Sequence, residues 1–213
     1  MNITREQLKL YAVTDRAWLG NETLYEQVEK ALKGGVTLVQ LREKELDEET
    51  FEKEGRELLE LCHWYHVPLI INDNVALAKK INADGVHIGQ SDMAMQHARE
   101  LLGADKIIGV TAKTVEQAKA AQVAGADYLG SGAVFGTSTK ADAKPMELAL
   151  FQEICESVEI PVVAIGGISG DNVLQLKGKK MAGIAVVSGI FACEDIEKGT
   201  AELLEKVNSI IEQ

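Results

Sequence analysis

No apolar run in this sequence approaches the roughly 20 residues that a bilayer-spanning helix needs. A membrane partner is therefore not expected. The opening stretch MNITREQLKLYAV carries no apolar segment of the secretory-signal kind. Cysteine is sparse: Cys62, Cys155 and Cys193 are odd in number, far apart and without a CxxC pair. A disulfide framework is not expected, and a reduced, cytoplasmic protein is. Positive charge is in the minority, with 22 Lys and Arg against 33 Asp and Glu and a net charge of −11. Such a chain repels nucleic acid and anionic membranes, so an anionic ligand has to be met by local cations. The turn after the first strand candidate reads VTDRAWLG, which is no glycine-rich dinucleotide loop. The four histidines offer zinc no ligand pair beyond His63 and His66 on one helix flank. Linkers, low-complexity tracts and composition boundaries are missing as well.

What is present is alternation. Short β-branched runs (LKLYAVT, TLVQLRE, PLIIND, GVHIG, KIIGVT, YLGSGAVF, PVVAIGG, GIAVVSG) are separated by helical patterns, the seventh being NVLQLKGK. Gly34-Gly35, Gly103 and Gly125 mark helix ends, and Asp47, Ser91, Thr114 and Asp171 are candidate N-caps. Strict βα alternation gives a parallel sheet covered by helices. Eight strands and eight helices in 213 residues fit one α/β domain over residues 1–213, a (β/α)8 TIM barrel. An open doubly wound sheet is the rival architecture.

Barrel enzymes place their chemistry at the C-terminal strand ends. Strand 2 ends with Gln40-x-Arg42-x-Lys44, three polar side chains at every second position, with Val39 and Leu41 on the opposite face. Strand 3 ends with Asn72-Asp73, and the turn after strand 4 carries Gln90 and Asp92. Strand 5 ends at Thr111. The strand-6 loop reads Gly136-Thr137-Ser138-Thr139-Lys140. Strands 7 and 8 end in Gly166-Gly167 and Val187-Ser188-Gly189. Two neighbouring carboxylates, Asp73 and Asp92, suit Mg2+, although each also stands where a helix cap or first-turn acid would. The paired glycines suit a phosphate held by backbone N–H groups, or else close packing. Arg42, Lys44 and Lys140 supply three cations. Together these groups favour two anions bound at once: a diphosphate on metal, arginine and lysine, and a monophosphate on strands 7 and 8. A transferase that expels diphosphate has that need.

The same segments resemble the thiamine-phosphate synthase family along nearly the whole chain. QLREK, IIND, HIGQSD and TSTK occur in the family's order, with YAVTDR, VVAIGGIS and GIAVVSG around them. The resemblance implies a small-molecule transferase that joins hydroxymethylpyrimidine diphosphate to a thiazole phosphate, carboxylated in many bacteria, and releases diphosphate. It implies a dissociative substitution without a protein nucleophile. It assigns Gln40, Arg42, Lys44, Asn72, Thr111 and Lys140 to the pyrimidine diphosphate. Asp73 and Asp92 fall to Mg2+, and Thr137, Thr139, Gly167, Val187 and Ser188 to the thiazole phosphate. The chain departs from the family in the strand-6 loop, where GAVFGT lacks two customary prolines, and at Thr111, where serine is common. Three alternatives stand beside this reading: a thiazole tautomerase, a Schiff-base aldolase using Lys44, and a non-catalytic phosphate-ligand binding protein. The tautomerase relies on a histidine where this chain has Lys113. Oligomeric state is open between a monomer and a homodimer.

Overall fold

A computed structural model describes residues 2–89, 95–136 and 145–211. Eight short parallel strands close on themselves: β1 (Leu10–Val13), β2 (Leu38–Leu41), β3 (Leu69–Asn72), β4 (Gly85–Ile88), β5 (Ile107–Thr111), β6 (Tyr128–Gly132), β7 (Val162–Ile165) and β8 (Gly183–Val186). Each strand pairs with the next, and β8 pairs back onto β1, with Tyr11 opposite Ala185. The chain is a (β/α)8 barrel, and the open doubly wound sheet is excluded by this closure.

The strands are buried on both sides, as a parallel sheet under helices requires. Inward-facing Tyr11, Leu38, Ile70, Ile107, Tyr128 and Val163 belong to the core inside the barrel. Outward-facing Val39, Leu41, Ile71, Val86, Ile108 and Leu129 belong to the core between barrel and helices. Leu38 and Gln40 thus share the inner face of β2, and Val39 and Leu41 the outer one, as the alternation predicts.

The covering helices are α1 (Leu24–Lys33), α2 (Glu48–Trp64), α3 (Val75–Ile81), α4 (Met95–Leu102), α5 (Val115–Val123) and α6 (Leu148–Ser157). They are followed by the four-residue α7 (Ser188–Phe191) and by α8 (Ile196–Asn208). Local signals explain their limits. Thr23 and Glu26 form a capping box at the start of α1. Asp47 accepts from the Thr50 N–H and Thr114 from the Gln117 N–H, so both are caps as expected.

The seventh connection differs from expectation. NVLQLKGK forms only a 3-10 turn at Val173–Leu176. Lys177 leaves the helical region (ψ 135°), and Gly178 and Lys180 follow at φ +76° and +54°, which ends the run before a second turn can form. Asp171 caps nothing there. Asn172 orders the turn instead, its Oδ1 accepting from the Ser169 N–H at 2.9 Å.

The interior is packed tightly enough to dictate residue size. A Cβ added at Gly109 would lie 2.1 Å from Tyr128 Cζ, a fully buried ring. Gly109→Ala is expected to cost at least about 1–3 kcal/mol through overpacking, read as a lower urea midpoint. Unchanged stability would contradict this packing.

Candidate active site

The β2 end divides its residues among three places. Gln40 stays on the strand's inner face and is buried, its Nε2 donating to Tyr11 Oη at 2.5 Å. The strand stops at Leu41, so Arg42 and Lys44 stand on the loop beyond it, where alternation no longer applies. Arg42 is half-buried. Its N–H donates to Thr14 Oγ1 at 2.9 Å, and its Nη1 lies 3.4 Å from Asp15 Oδ2. Glu43 turns aside and is held by Arg16 Nε at 2.9 Å. Burial pushes its carboxyl up despite that partner. Lys44 remains exposed.

Sequence reasoning missed Thr14 and Asp15. Their signal was the polar run T-D-R directly after β1, one strand over. Thr14 is fully buried, and its hydroxyl is the acceptor for the Arg42 N–H. Thr14→Val is expected to cost about 1–3 kcal/mol, because a buried donor loses its acceptor. It should also weaken diphosphate binding measured by calorimetry; no change in either quantity would contradict its positioning role.

Asp73 has a left-handed backbone at φ +60°, with its N–H donating to the His87 carbonyl at 2.9 Å. Its Oδ2 accepts from Asn72 Nδ2 at 2.6 Å. It does not cap α3. Asn74 does, its Oδ1 accepting from the Leu77 N–H at 2.9 Å. Aspartate in this region is strained by roughly 1–2 kcal/mol. A residue held so, with no capping duty, is a candidate for ligand chemistry. Gln90, Ser91 and Asp92 lie outside the described residues.

Inside the barrel, Gln40 begins a row of polar side chains that sequence reasoning did not assemble. Tyr11 Oη lies 2.8 Å from Tyr128 Oη. Tyr128 Oη lies 3.0 Å from His87 Nδ1, and His87 Nε2 lies 3.0 Å from Thr111 Oγ1. Burial pushes both tyrosine phenols well up, so they remain hydroxyls. The available signal was a polar tip on the inner face of a barrel strand, at Tyr11, His87 and Tyr128 alike.

Across the mouth, Gly166 and Gly167 follow β7 at φ +102° and +64°. A Cβ on Gly167 would lie 2.3 Å from the Gly136 carbonyl oxygen, so close packing alone demands glycine here. Asn172 Nδ2 donates to the Gly167 carbonyl at 2.8 Å and steadies this turn. Val187 and Ser188 open α7. Thr137, Ser138, Thr139 and Lys140 lie outside the described residues.

These elements enclose two adjoining cavities. The first, in the barrel mouth, is lined by Gln40, Arg42, Asn72, Thr111, Gly167, Val187 and Ser188, and also by Tyr11, His87 and Lys113. The second is an outer groove lined by Arg42, Lys44, Asn72, Asp73, His87 and Thr111. Arg42, Asn72, His87 and Thr111 border both. Every sequence-predicted site residue that is described therefore meets in one place.

Comparison with known proteins points the same way. A family model described as thiamine monophosphate synthase matches residues 10–190. The thiamine-phosphate synthase of Clostridium acetobutylicum is 51% identical, over 89% of this chain and 90% of its own. Thiamine-phosphate synthase 2 of Streptococcus pneumoniae serotype 4 is 44% identical, over 98% of this chain and 100% of its own. Among solved structures, thiamine phosphate pyrophosphorylase from Pyrococcus furiosus superposes with a TM-score of 0.90 at 38% identity, covering 98% of this chain and 99% of that one.

Proposed function

Because this chain belongs to the thiamine monophosphate synthase family, we propose that its barrel mouth joins hydroxymethylpyrimidine diphosphate to a hydroxyethylthiazole phosphate and releases diphosphate. The activity is that of a thiamine-phosphate synthase, a transferase of thiamine biosynthesis. The observation that carries the division of the site is the pair of adjoining cavities sharing Arg42, Asn72 and Thr111. Two anionic substrates fit two cavities, and the bond changes belong at their junction.

Arg42 would fork onto two diphosphate oxygens, and Lys44 would add a point charge from the outer groove. Lys140 would supply the third cation. Asn72 and Thr111 would donate hydrogen bonds to the same group. The Gln40 amide, fixed by Tyr11, would orient the pyrimidine edge. Gly167, Val187 and Ser188, with Thr137 and Thr139, would hold the thiazole phosphate. Departing negative charge is stabilised by these fixed donors, with no protein nucleophile in the scheme.

Asp73 offers an oxygen ligand in the groove beside Arg42 and Lys44, a donor type that suits Mg2+. Asp92 would be its partner. Mg2+ held there would neutralise charge on the leaving diphosphate.

The alternatives fare less well. Lys44 is exposed, whereas a Schiff-base lysine needs desolvation. Lys113 lines the barrel-mouth cavity where the tautomerase reading requires histidine. A binding protein has no use for two joined substrate cavities. The reduced, cytoplasmic setting expected from three sparse cysteines without a CxxC pair is kept as part of this proposal.

The test is direct. With both substrates and Mg2+, the protein should release diphosphate and form thiamine phosphate. Conversion of thiazole phosphate isomers without the pyrimidine substrate, or no diphosphate release, would contradict the proposal.

A further inference from the structure

We propose that the Arg16–Glu43 pair anchors the diphosphate clamp: by holding the one residue between Arg42 and Lys44, it fixes where both cations meet the anion. Arg16 and Glu43 are then positioning residues for the pyrimidine diphosphate. The inference rests on the assignment of Arg42 and Lys44 to the diphosphate made above.

The polar run after β1 laces onto the loop after β2. Thr14 Oγ1 accepts from the Arg42 N–H, and Asp15 Oδ2 meets the Arg42 guanidinium. The next residue, Arg16, donates from Nε to Glu43 Oε2 at 2.9 Å. Its Nη2 donates to Glu54 Oε2, on α2, at 2.5 Å. Arg16 is itself presented by a 3-10 turn, Arg16–Trp18, which Asp15 caps by accepting from the Ala17 N–H at 2.9 Å. One guanidinium thus joins the turn after β1, the loop after β2 and α2. Its two bonds leave from different nitrogens of a rigid fork, which an ammonium does not offer.

The arrangement costs more than a surface ion pair. The Glu43 side chain is only 5% exposed. Its Oε1 is buried without a hydrogen-bond partner among the described residues. A carboxylate so placed carries a desolvation penalty, and two apolar side chains of similar size would hold the fold as well or better. Stability therefore does not account for the pair, whereas position does. Glu43 stands between the two cations in the chain and borders the same outer groove as they do. Lys44 is exposed, so the backbone held at Glu43 sets where its ammonium starts from. Arg42 is tied on one side to Thr14 and on the other to the anchored Glu43.

The experiment is the double variant Arg16→Met/Glu43→Met, which removes both charges and leaves neither partner of the pair buried alone. Its urea midpoint should stay at or above that of the wild type. Its KM for pyrimidine diphosphate should nonetheless rise about tenfold, and its KM for thiazole phosphate by less than about twofold. Calorimetry with inorganic diphosphate and Mg2+ should show the same selective loss of affinity. Unchanged diphosphate affinity, with or without a lower midpoint, makes the pair a structural one and overturns the inference, as do equal rises in both KM values. If the double variant does not fold, Arg16→Lys decides in the same way. It keeps the charge without the fork that bridges Glu43 and Glu54, and a rise of at least about threefold is expected for the pyrimidine substrate alone. Failure of the proposed function reads differently: the wild type would bind diphosphate yet release none from the two substrates, and the calorimetric comparison would still decide the anchor.

Discussion

Asp73→Asn is expected to lower kcat at least about 100-fold, the scale on which one fixed transition-state group acts. The substitution is chosen for the backbone. Asp73 stands at φ +60°, a region asparagine tolerates and alanine does not. Alanine would add strain to the loss of charge, whereas asparagine removes charge alone. Asparagine keeps the left-handed backbone and Asp73 caps no helix, so the variant should still fold. The Mg2+ concentration for half-maximal rate should rise. Asp92→Ala is expected to act similarly on turnover. Full activity of either variant at low Mg2+ would show the metal assignment to be wrong.

Arg42→Lys should raise the KM for pyrimidine diphosphate by about 10–100-fold, as a bidentate fork becomes a point charge. Arg42 borders both cavities, and Asp15 and Thr14 hold it there. A lysine would keep the charge but reach one oxygen at a time. The inhibition constant of inorganic diphosphate should rise in parallel. Stability should fall by less than about 1 kcal/mol, since the 3.4 Å contact with Asp15 is partly solvated. Equal diphosphate affinity in both proteins would contradict the clamp.

The barrel was legible because its strands are short, continuous and apolar, and its helices carry caps that act within one turn. The seventh helix was not, because Val173–Leu176 has helical composition while Gly178 and Lys180 take left-handed conformations just beyond it. At the site, residues announced by a strand end were found: Gln40, Asn72, Asp73 and Thr111 stand where the circuit of strands puts them. Arg42 and Lys44 were found for a partly mistaken reason, since both lie past the end of β2. Thr14 and Asp15 escaped notice because their partner, Arg42, lies just past the end of another strand, 28 and 27 positions along the chain. Tyr11, His87 and Tyr128 escaped because an aromatic on a strand reads as core until the register brings three polar tips together.

A crystal structure with diphosphate and Mg2+ tests the central claim most directly, namely that the ends of β2, β3, β4 and β5 form one diphosphate site. Diphosphate should lie between Arg42 and Lys44 within hydrogen-bond reach of Asn72 and Thr111, with the metal on Asp73 and Asp92. Diphosphate bound elsewhere, with Arg42 and Asp73 touching only protein groups, would contradict it.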